Sequence, residues 1–295
     1  MAKDKKSDSP KAGSAHIRTR ERRRERQQQR RERRRLGFIA AGVVIVLAVV
    51  GIYLIANQAV SAPIPAGTWD RYDRIPQGVT SDGYPILGNP TAPVPVTVYC
   101  DFTYSLCIEF HEKAMDRIVE AVRNGVISYT FAPTTLARGI NSAGAAYSAL
   151  CAGEQNRFFE YQDALFAWQR TFGRKAFSQN RLRTGIENLQ LNRGNYDSCV
   201  SASRTADRIQ TAEDNYQELG LQTQGLPALL VNGVPVTAAA SLDATIEELF
   251  TMINTSLADS QLTPIPLDSG QAEETPSPEV SPEATPEATE SVGGN

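Results

Sequence analysis

Apolar and polar residues recur with two different periods in the middle of this chain, and together they predict an α/β domain. Residues 95–100 and 126–131 are short β-branched runs typical of strands. Between them, residues 105–123 place apolar side chains at helical spacing, and Asn124-Gly125 is a stop signal for that helix. The apolar positions of this helix are Cys107, Phe110, Ala114, Ile118 and Ala121.

The second half of the domain predicts helices followed by a β-hairpin and a last helix. Residues 141–220 contain several helical stretches and no convincing strand. Asn232-Gly233 between two apolar runs is a strong hairpin signal. Because Pro235 cannot donate to a sheet ladder, the last strand should lie at an edge. Ser241 then caps a helix with one apolar face, which is formed by Leu242, Ile246, Leu249 and Ile253.

An uncharged run of 21 residues, 36–56, precedes this domain. As a helix it would be about 31 Å long, which matches the hydrocarbon core of a membrane. Residues 1–35 carry 15 Lys and Arg against 5 Asp and Glu, whereas the remaining 260 residues carry 15 against 28. A basic block directly before an apolar span favours a cytoplasmic anchor, with lipid contacts through residues 18–56, over a nucleic-acid-binding arm.

This arrangement predicts a single-pass cell-membrane protein with a cytoplasmic N-terminus and an extracytoplasmic domain. A cleaved signal peptide is the alternative. Its apolar core usually has about 7–15 residues, and the run here is longer, so an uncleaved signal-anchor is favoured.

Two segments are predicted to flank the folded domain, which we place at 81–258. Residues 57–80 contain prolines and little periodicity, and we interpret them as a linker. Residues 259–295 are acidic and rich in proline, and such a composition cannot bury enough apolar surface to fold. This tail is therefore predicted to be disordered.

Five local strings resemble the DsbA-like branch of the thioredoxin superfamily, a group of thiol–disulfide oxidoreductases. The resemblance implies an α/β, thioredoxin-like fold with an inserted all-helical subdomain at about 138–222, preceded here by the transmembrane helix. It also implies an active site at the start of the helix over 105–123. The strings are Leu87-Gly-Asn-Pro90, Asp101-Phe102, Cys107-Ile-Glu-Phe-His111, Leu150-Cys-Ala-Gly-Glu-Gln155 and Gly225-Leu-Pro-Ala-Leu-Leu-Val-Asn-Gly233.

The active-site motif of that family is altered in this chain. The motif would be Asp-Phe-x-Cys-x-x-Cys, and the chain reads Asp101-Phe-Thr-Tyr-Ser-Leu-Cys107. Tyr104 stands where the attacking cysteine should be, and Cys107 keeps the second position. A helix N-terminus stabilises a thiolate through its free N–H groups and dipole. A phenol, with an ordinary pKa of about 10, cannot form a disulfide, so we expect dithiol exchange to be impaired.

Cys100 leaves two alternatives open. It lies seven residues before Cys107 and would form a redox couple with it if the two Cα atoms came within about 7 Å. Two separate, half-buried thiols are the other alternative, and the sequence favours them.

The resemblance suggests roles for five further residues. Cys151 and Cys199 match a second cysteine pair of exported relatives and are interpreted as a structural disulfide. Pro227 matches the family's cis-proline, and Leu226 before it would make the peptide-binding platform apolar. His111, four residues after Cys107, would either tune a thiolate or, as we favour, be an ordinary helix-surface residue.

No metal, nucleotide or other cofactor is indicated, because the chain has two distant histidines, no zinc-finger spacing and no Gly-rich phosphate loop. Two functional hypotheses follow. One is a thiol–disulfide oxidoreductase that uses Cys107, with Cys100 as its candidate partner, on exported polypeptides or with a membrane redox partner. The other is a redox-silent peptide-binding or chaperone-like module.

Overall fold

The computed structural model describes residues 38–54 and 60–261. Residues 38–54 form one helix whose side chains are exposed along nearly its whole length. Among the described residues, no helix is both long and apolar enough to cross a membrane. The ends of the predicted span 36–56, the basic arm 1–35 and the tail beyond residue 261 lie outside the described residues.

A mixed six-stranded sheet forms the centre of the described domain. Its strands lie side by side in the order β1-β2-β4-β3-β5-β6. Only β3 and β4 are parallel, and the other neighbouring pairs are antiparallel. In chain order the strands are β1 (Gln77–Val79), β2 (Pro85–Leu87), β3 (Val94–Cys100), β4 (Ile127–Pro133), β5 (Ala228–Val231) and β6 (Val234–Pro235).

Helices cover this sheet and supply the insert before the hairpin. The first helix of the domain follows the N-terminal helix over 38–54, and the second connects β3 to β4. The last helix packs against the second helix and against β5. Their bounds are α1 (Thr68–Tyr72), α2 (Ser105–Arg123), α3 (Ser142–Gly153), α4 (Phe158–Phe172), α5 (Gln179–Asn188), α6 (Arg193–Val200), α7 (Ser203–Glu218) and α8 (Leu242–Asp259).

β3 occupies the middle of the sheet, which explains its run of β-branched residues. The side chains of Val94, Val96 and Val98 are completely buried. β3 pairs with β4 from Val94 to Cys100 and with β5 from Val96 to Tyr99. The strand therefore ends with Cys100 between two neighbours, directly before the turn that leads into α2.

Most of the predicted elements are confirmed. Helix α2 has the predicted bounds, and Gly125 follows it with a φ of 71°. The hairpin turn at Asn232 and Gly233 has positive φ at both residues, and β6 is an edge strand, as Pro235 predicted. The insert consists of helices throughout. Ser241 caps α8 by accepting a hydrogen bond from the Ala244 N–H.

The predicted linker over 57–80 is wrong from residue 60 onward, because this segment is held against the helical insert. We call residues 60–75 the strap. It contains α1, and β1 follows it at the edge of the sheet. Three of its backbone carbonyls accept side-chain hydrogen bonds of 2.7 Å. The pairs are Ser61 with Arg181, Ala62 with Asn188, and Pro63 with Trp168.

Candidate active site at the mouth of helix α2

The start of α2, which we call the helix mouth, is where the candidate site lies. β3 ends at Cys100, a short turn follows, and Tyr104 is the N-cap residue of α2. The Tyr104 side chain is half-buried and packs on the core, and it makes no capping hydrogen bond. An aromatic ring therefore occupies the position that a sulfur nucleophile would take at this helix end.

Cys100 and Cys107 form a disulfide, with their Cα atoms 5.8 Å apart. The preference for two separate thiols is therefore wrong. The turn folds back so that the first turn of α2 lies beside the end of β3, and this brings the two residues together. Both are completely buried. The disulfide joins the strand to the helix beneath the turn, and neither sulfur is exposed to solvent.

Pro227 lies beside this disulfide in the sheet. Tyr99 pairs with Ala228, so the preceding Pro227 comes next to Cys100 in the antiparallel register of β3 and β5. The Leu226–Pro227 peptide bond is cis, the form predicted from the sequence. Leu226, however, is only 9% exposed, so its side chain packs inward and does not form an apolar platform.

Asp101 organises the turn, a role that was not predicted from the sequence. Its buried carboxylate accepts hydrogen bonds from the Thr103 N–H, the Thr103 hydroxyl, the Ser142 hydroxyl and the Ala137 N–H. These donors come from the turn, from α3 and from the connection between β4 and α3. Asp101 was visible in the sequence only as part of the motif, because its partners Ala137 and Ser142 are distant in the chain.

Residues 134–141, which we call the covering loop, lie against the turn. The Thr134 N–H donates to the Cys100 carbonyl at 2.8 Å. A Cβ added to Gly139 would come within 2.2 Å of Thr103, so only glycine allows this close approach. At its start the loop is also tied to α7, because Thr135 donates two hydrogen bonds to Glu213.

Large apolar side chains remain exposed around the helix mouth. Leu106 in the first turn of α2 is 37% exposed, and Ile140 in the covering loop is 52% exposed. Leu219, which is 45% exposed, lies three residues after Tyr216. Burial and the nearby Tyr104 phenol raise the pKa of Tyr216, so α7 ends close to Tyr104. We call these three exposed residues the apolar rim, because each is close in the chain to a residue that lies at the turn or near Tyr104.

Sequence and structure comparisons agree with this geometry. A profile of the family described as Thioredoxin matches residues 80–252, which is more than half of the chain. The chain belongs to the thioredoxin family. The comparison with curated proteins returned no match.

Solved structures with the same fold are DsbA-like proteins. BdbD from Bacillus subtilis, in its oxidised form, superposes with a TM-score of 0.52 at 18% identity, over 61% of this chain and 96% of BdbD. Alpha-DsbA1 from Wolbachia pipientis gives 0.51 at 16% identity, over 62% and 96% of the two chains. MdbA, a thiol-disulfide oxidoreductase from Corynebacterium diphtheriae, gives 0.49 at 20% identity, over 62% and 100%. The DsbA-like thioredoxin fold inferred from the sequence strings is confirmed.

His111 lies one turn after Cys107 in this thioredoxin-fold domain, but it is buried and not on the helix surface as we had favoured. Its Nε2 lies 2.9 Å from an oxygen of Asp163 in α4. Thr68, Arg71 and Tyr72 of α1 also donate to that carboxylate. His111 therefore helps to join the strap to α2 and the insert.

Asp163 is ionised in this buried cluster. Burial alone would raise the pKa of its carboxyl, but the His111 hydrogen bond and charge, the Arg71 charge and the Tyr72 hydrogen bond outweigh it and lower the pKa. The cluster borders a pocket of about 220 Å³ between the strap, α2 and α4.

The second cysteine pair forms a disulfide inside the insert. Cys151 of α3 and Cys199 of α6 have their Cα atoms 5.6 Å apart, and both residues are buried. The four cysteines of the chain are therefore all in disulfides.

In the described part of the chain, no group of three His, Cys, Asp or Glu residues is arranged to hold a metal ion.

Proposed function

We propose that this protein is a membrane-anchored, extracytoplasmic relative of thiol–disulfide oxidoreductases in which dithiol exchange is suppressed. It uses its helix mouth to bind extended peptides. The observation that carries this proposal is that Tyr104 caps α2 above a disulfide whose two cysteines are both completely buried.

Suppressed exchange follows from the chemistry of the attack. A thiolate must approach a disulfide sulfur directly, and the rate depends on access to that sulfur. Cys100 and Cys107 offer no exposed sulfur, and the Tyr104 phenol cannot form a mixed disulfide. The Cys100–Cys107 bond is therefore a structural link that holds the turn closed.

Peptide binding is supported by what remains at the site. Pro227 lies beside Cys100 where β5 begins, so an extended chain lying across the helix mouth would meet this end of the sheet. The exposed Leu106, Ile140 and Leu219 supply apolar surface next to it. Such a rim fits an unfolded, apolar segment of an exported polypeptide.

Membrane anchoring is supported by the N-terminal sequence. The helix over 38–54 is apolar on all sides, with Phe38, Leu47 and Ile52 each more than 60% exposed. A helix with apolar residues all round requires an apolar surrounding. The basic residues before it favour a cytoplasmic N-terminus, which places the domain on the other side.

Thiol counting tests whether exchange is suppressed. The native full chain is incubated in glutathione redox buffers, its thiols are labelled with a maleimide, and the labelled cysteines are identified by mass spectrometry. We expect no label on any cysteine before denaturation with reductant. Labelling of Cys107 in the native protein that rises and falls with the redox potential of the buffer would contradict the proposal and support the second candidate, an oxidoreductase that uses the Cys100–Cys107 pair.

Restoring the missing cysteine tests the placement of the site. Tyr104→Cys puts a thiol at the N-terminus of α2, where the helix end lowers the pKa of a thiol. The new thiolate can attack Cys107 and displace Cys100, which gives an exchangeable pair at the helix mouth that dithiothreitol can reduce. We therefore expect this variant to catalyse insulin reduction by dithiothreitol, whereas Tyr104→Ser, which removes the ring without adding sulfur, stays inactive. An inactive Tyr104→Cys variant with a reactive new thiol would show that the site lies elsewhere.

Peptide binding is tested with a probe that has no thiol, the fluorescently labelled and carboxymethylated insulin B chain. We expect Ile140→Asp to weaken its binding about tenfold or more, because a charge replaces an apolar side chain that the bound peptide would cover. Val234→Asp is the matched control, since Val234 is 56% exposed on the edge strand β6 and pairs with Val231, at the opposite end of β5 from Pro227. Equal binding by both variants would exclude the apolar rim as the binding surface.

A further inference from the structure

The charge of the domain is distributed unevenly. After residue 35 the chain carries 15 basic and 28 acidic residues. Residues 170–196 hold six of those basic residues and only one of the acidic ones. This part of the insert is therefore strongly basic on a domain that is otherwise acidic.

The same part of the insert holds the segment through which the chain enters the domain. The carbonyls of Ser61 and Ala62 accept hydrogen bonds of 2.7 Å from Arg181 and Asn188. Arg181 also donates to the Lys175 carbonyl, and its guanidinium lies 3.7 Å from the Phe172 ring centre. The first described residues of the strap thus lie against α5 and the end of α4.

Only a short stretch of chain separates this point from the proposed anchor. Residues 55–59 join the helix over 38–54 to the strap. A chain of that length spans at most about 20 Å. If the helix is the membrane anchor, the part of the insert that holds the strap must lie close to the membrane surface. This step rests on the anchoring in the proposed function.

Two basic side chains in this place are free to meet another partner. Arg174 and Lys175 are exposed, and neither forms an ion pair within the described residues. The other exposed or half-buried basic residues of the segment already have carboxylate partners. Those pairs are Arg170 with Glu112, Arg183 with Asp197, and Arg193 with Glu187 and Asp197.

We propose that Arg174 and Lys175, which we call the basic corner, bind the anionic headgroups of the membrane that anchors the chain. The half-buried Phe172 and the buried Arg181 hold this corner beside the strap. Each basic residue near an anionic surface favours the bound state by a factor of about five. The domain therefore rests on the membrane in one orientation, with the basic corner against it.

The experiment uses the full chain in nanodiscs of phosphatidylcholine, with or without phosphatidylglycerol, and measures hydrogen exchange of the amides at 172–180. For the unaltered chain we expect slower exchange in the anionic discs than in the neutral ones, and for Arg174→Gln/Lys175→Gln we expect no such slowing. In this variant the ratio of membrane-docked domain to free domain should fall by up to about 30-fold. The matched control is Lys113→Gln/Arg204→Gln, which removes the same charge elsewhere. It should behave like the unaltered chain.

Three outcomes would overturn the proposal, and they are distinguishable. Equal exchange in both kinds of disc would show that the corner does not contact lipid, while the anchoring stands. Slow exchange of the amides at 172–180 in neutral discs, lost when residues 262–295 are removed, would show that the basic corner binds the acidic tail and not lipid. A chain that does not enter discs at all would overturn the anchoring in the proposed function, and the membrane contact with it.

Discussion

At position 104 the free end of helix α2 meets an aromatic ring. The N–H groups of Cys107 and Ile108 bond to the Tyr104 carbonyl, so the helix begins normally there. The positive end of the helix dipole would stabilise a thiolate at this residue, but a neutral phenol gains little from it. In the proposed function, this side chain and the buried Cys100–Cys107 bond together separate the site from one that exchanges disulfides.

Asp101 ties the turn to the covering loop and to α3, so we expect it to limit access to the buried disulfide. Asp101→Ala leaves several buried donors without an acceptor, which should lower the free energy of unfolding by about 3 kcal/mol or more. The covering loop then opens more easily. We expect a phosphine reductant to cleave Cys100–Cys107 about tenfold faster or more in the native protein, measured by maleimide labelling over time.

Asp163→Ala is the matched control for that prediction. Asp163 is also buried and accepts from several donors, but those donors tie α1 and α2 to α4 and do not reach the covering loop. It should lower stability without speeding reduction of the native protein. Equal acceleration in the two variants would show that reduction follows global unfolding and that Asp101 does not gate the disulfide.

The sequence allowed prediction of those site residues whose role depends on local position. Tyr104 and Pro227 could be placed because the motif and the strand lie next to them in the chain. The pairing of Cys100 with Cys107 was the less favoured of two alternatives, because it depends on how sharply the turn folds back. The burial of Leu226 and the hydrogen bonds of Asp101 to Ala137 and Ser142 could not be predicted. Both depend on elements that are distant in the chain.

The strap shows the same limit for whole elements. Helix α1 has five residues and β1 has three, which is too short for a periodic pattern to stand out. These elements are stabilised by side chains of the insert more than 80 residues away, such as Asp163 and Trp168. Long elements such as α2 and α8 were predicted with nearly the correct bounds because each carries its own apolar face.

The attachment of the strap should depend on pH. The pKa of Asp163 is lower in the folded protein than its ordinary value of about 3.9, so its ionised form stabilises the fold above that pH. This stability is lost as the pH falls through the lowered pKa. We expect Asp163→Asn to lower the free energy of unfolding by about 3 kcal/mol at pH 6, and by progressively less towards pH 2.

Urea unfolding at a series of pH values measures this difference. Asp243→Asn serves as the control, because Asp243 pairs with Lys113 on the surface and its side chain is 70% exposed. That pair should contribute less than about 1 kcal/mol at any pH. If the curves of the unaltered protein and Asp163→Asn ran parallel down to pH 2, the carboxylate would not be the group that holds the strap.

At the scale of the molecule, the chain combines a basic arm, an apolar helix and an acidic domain with one basic corner. The α/β order and the inserted helices could be predicted because strand and helix periods differ. The order of strands in the sheet could not, since β1 and β2 were not detected and β5 pairs with β3 across more than 120 residues. The position of the basic corner depends on the strap. It could not be predicted either, because the short elements of the strap were not detected in the sequence.

The contacts of residues 60–75 decide where the folding unit begins. The match to the family starts only at residue 80, which suggests a natural starting point for a shortened recombinant protein. Such a fragment would lack the acceptor for the Trp168 indole and three of the donors to Asp163, both of which are buried. Truncation where the family match begins would therefore remove part of the core of this domain, and expression should start before Ser61.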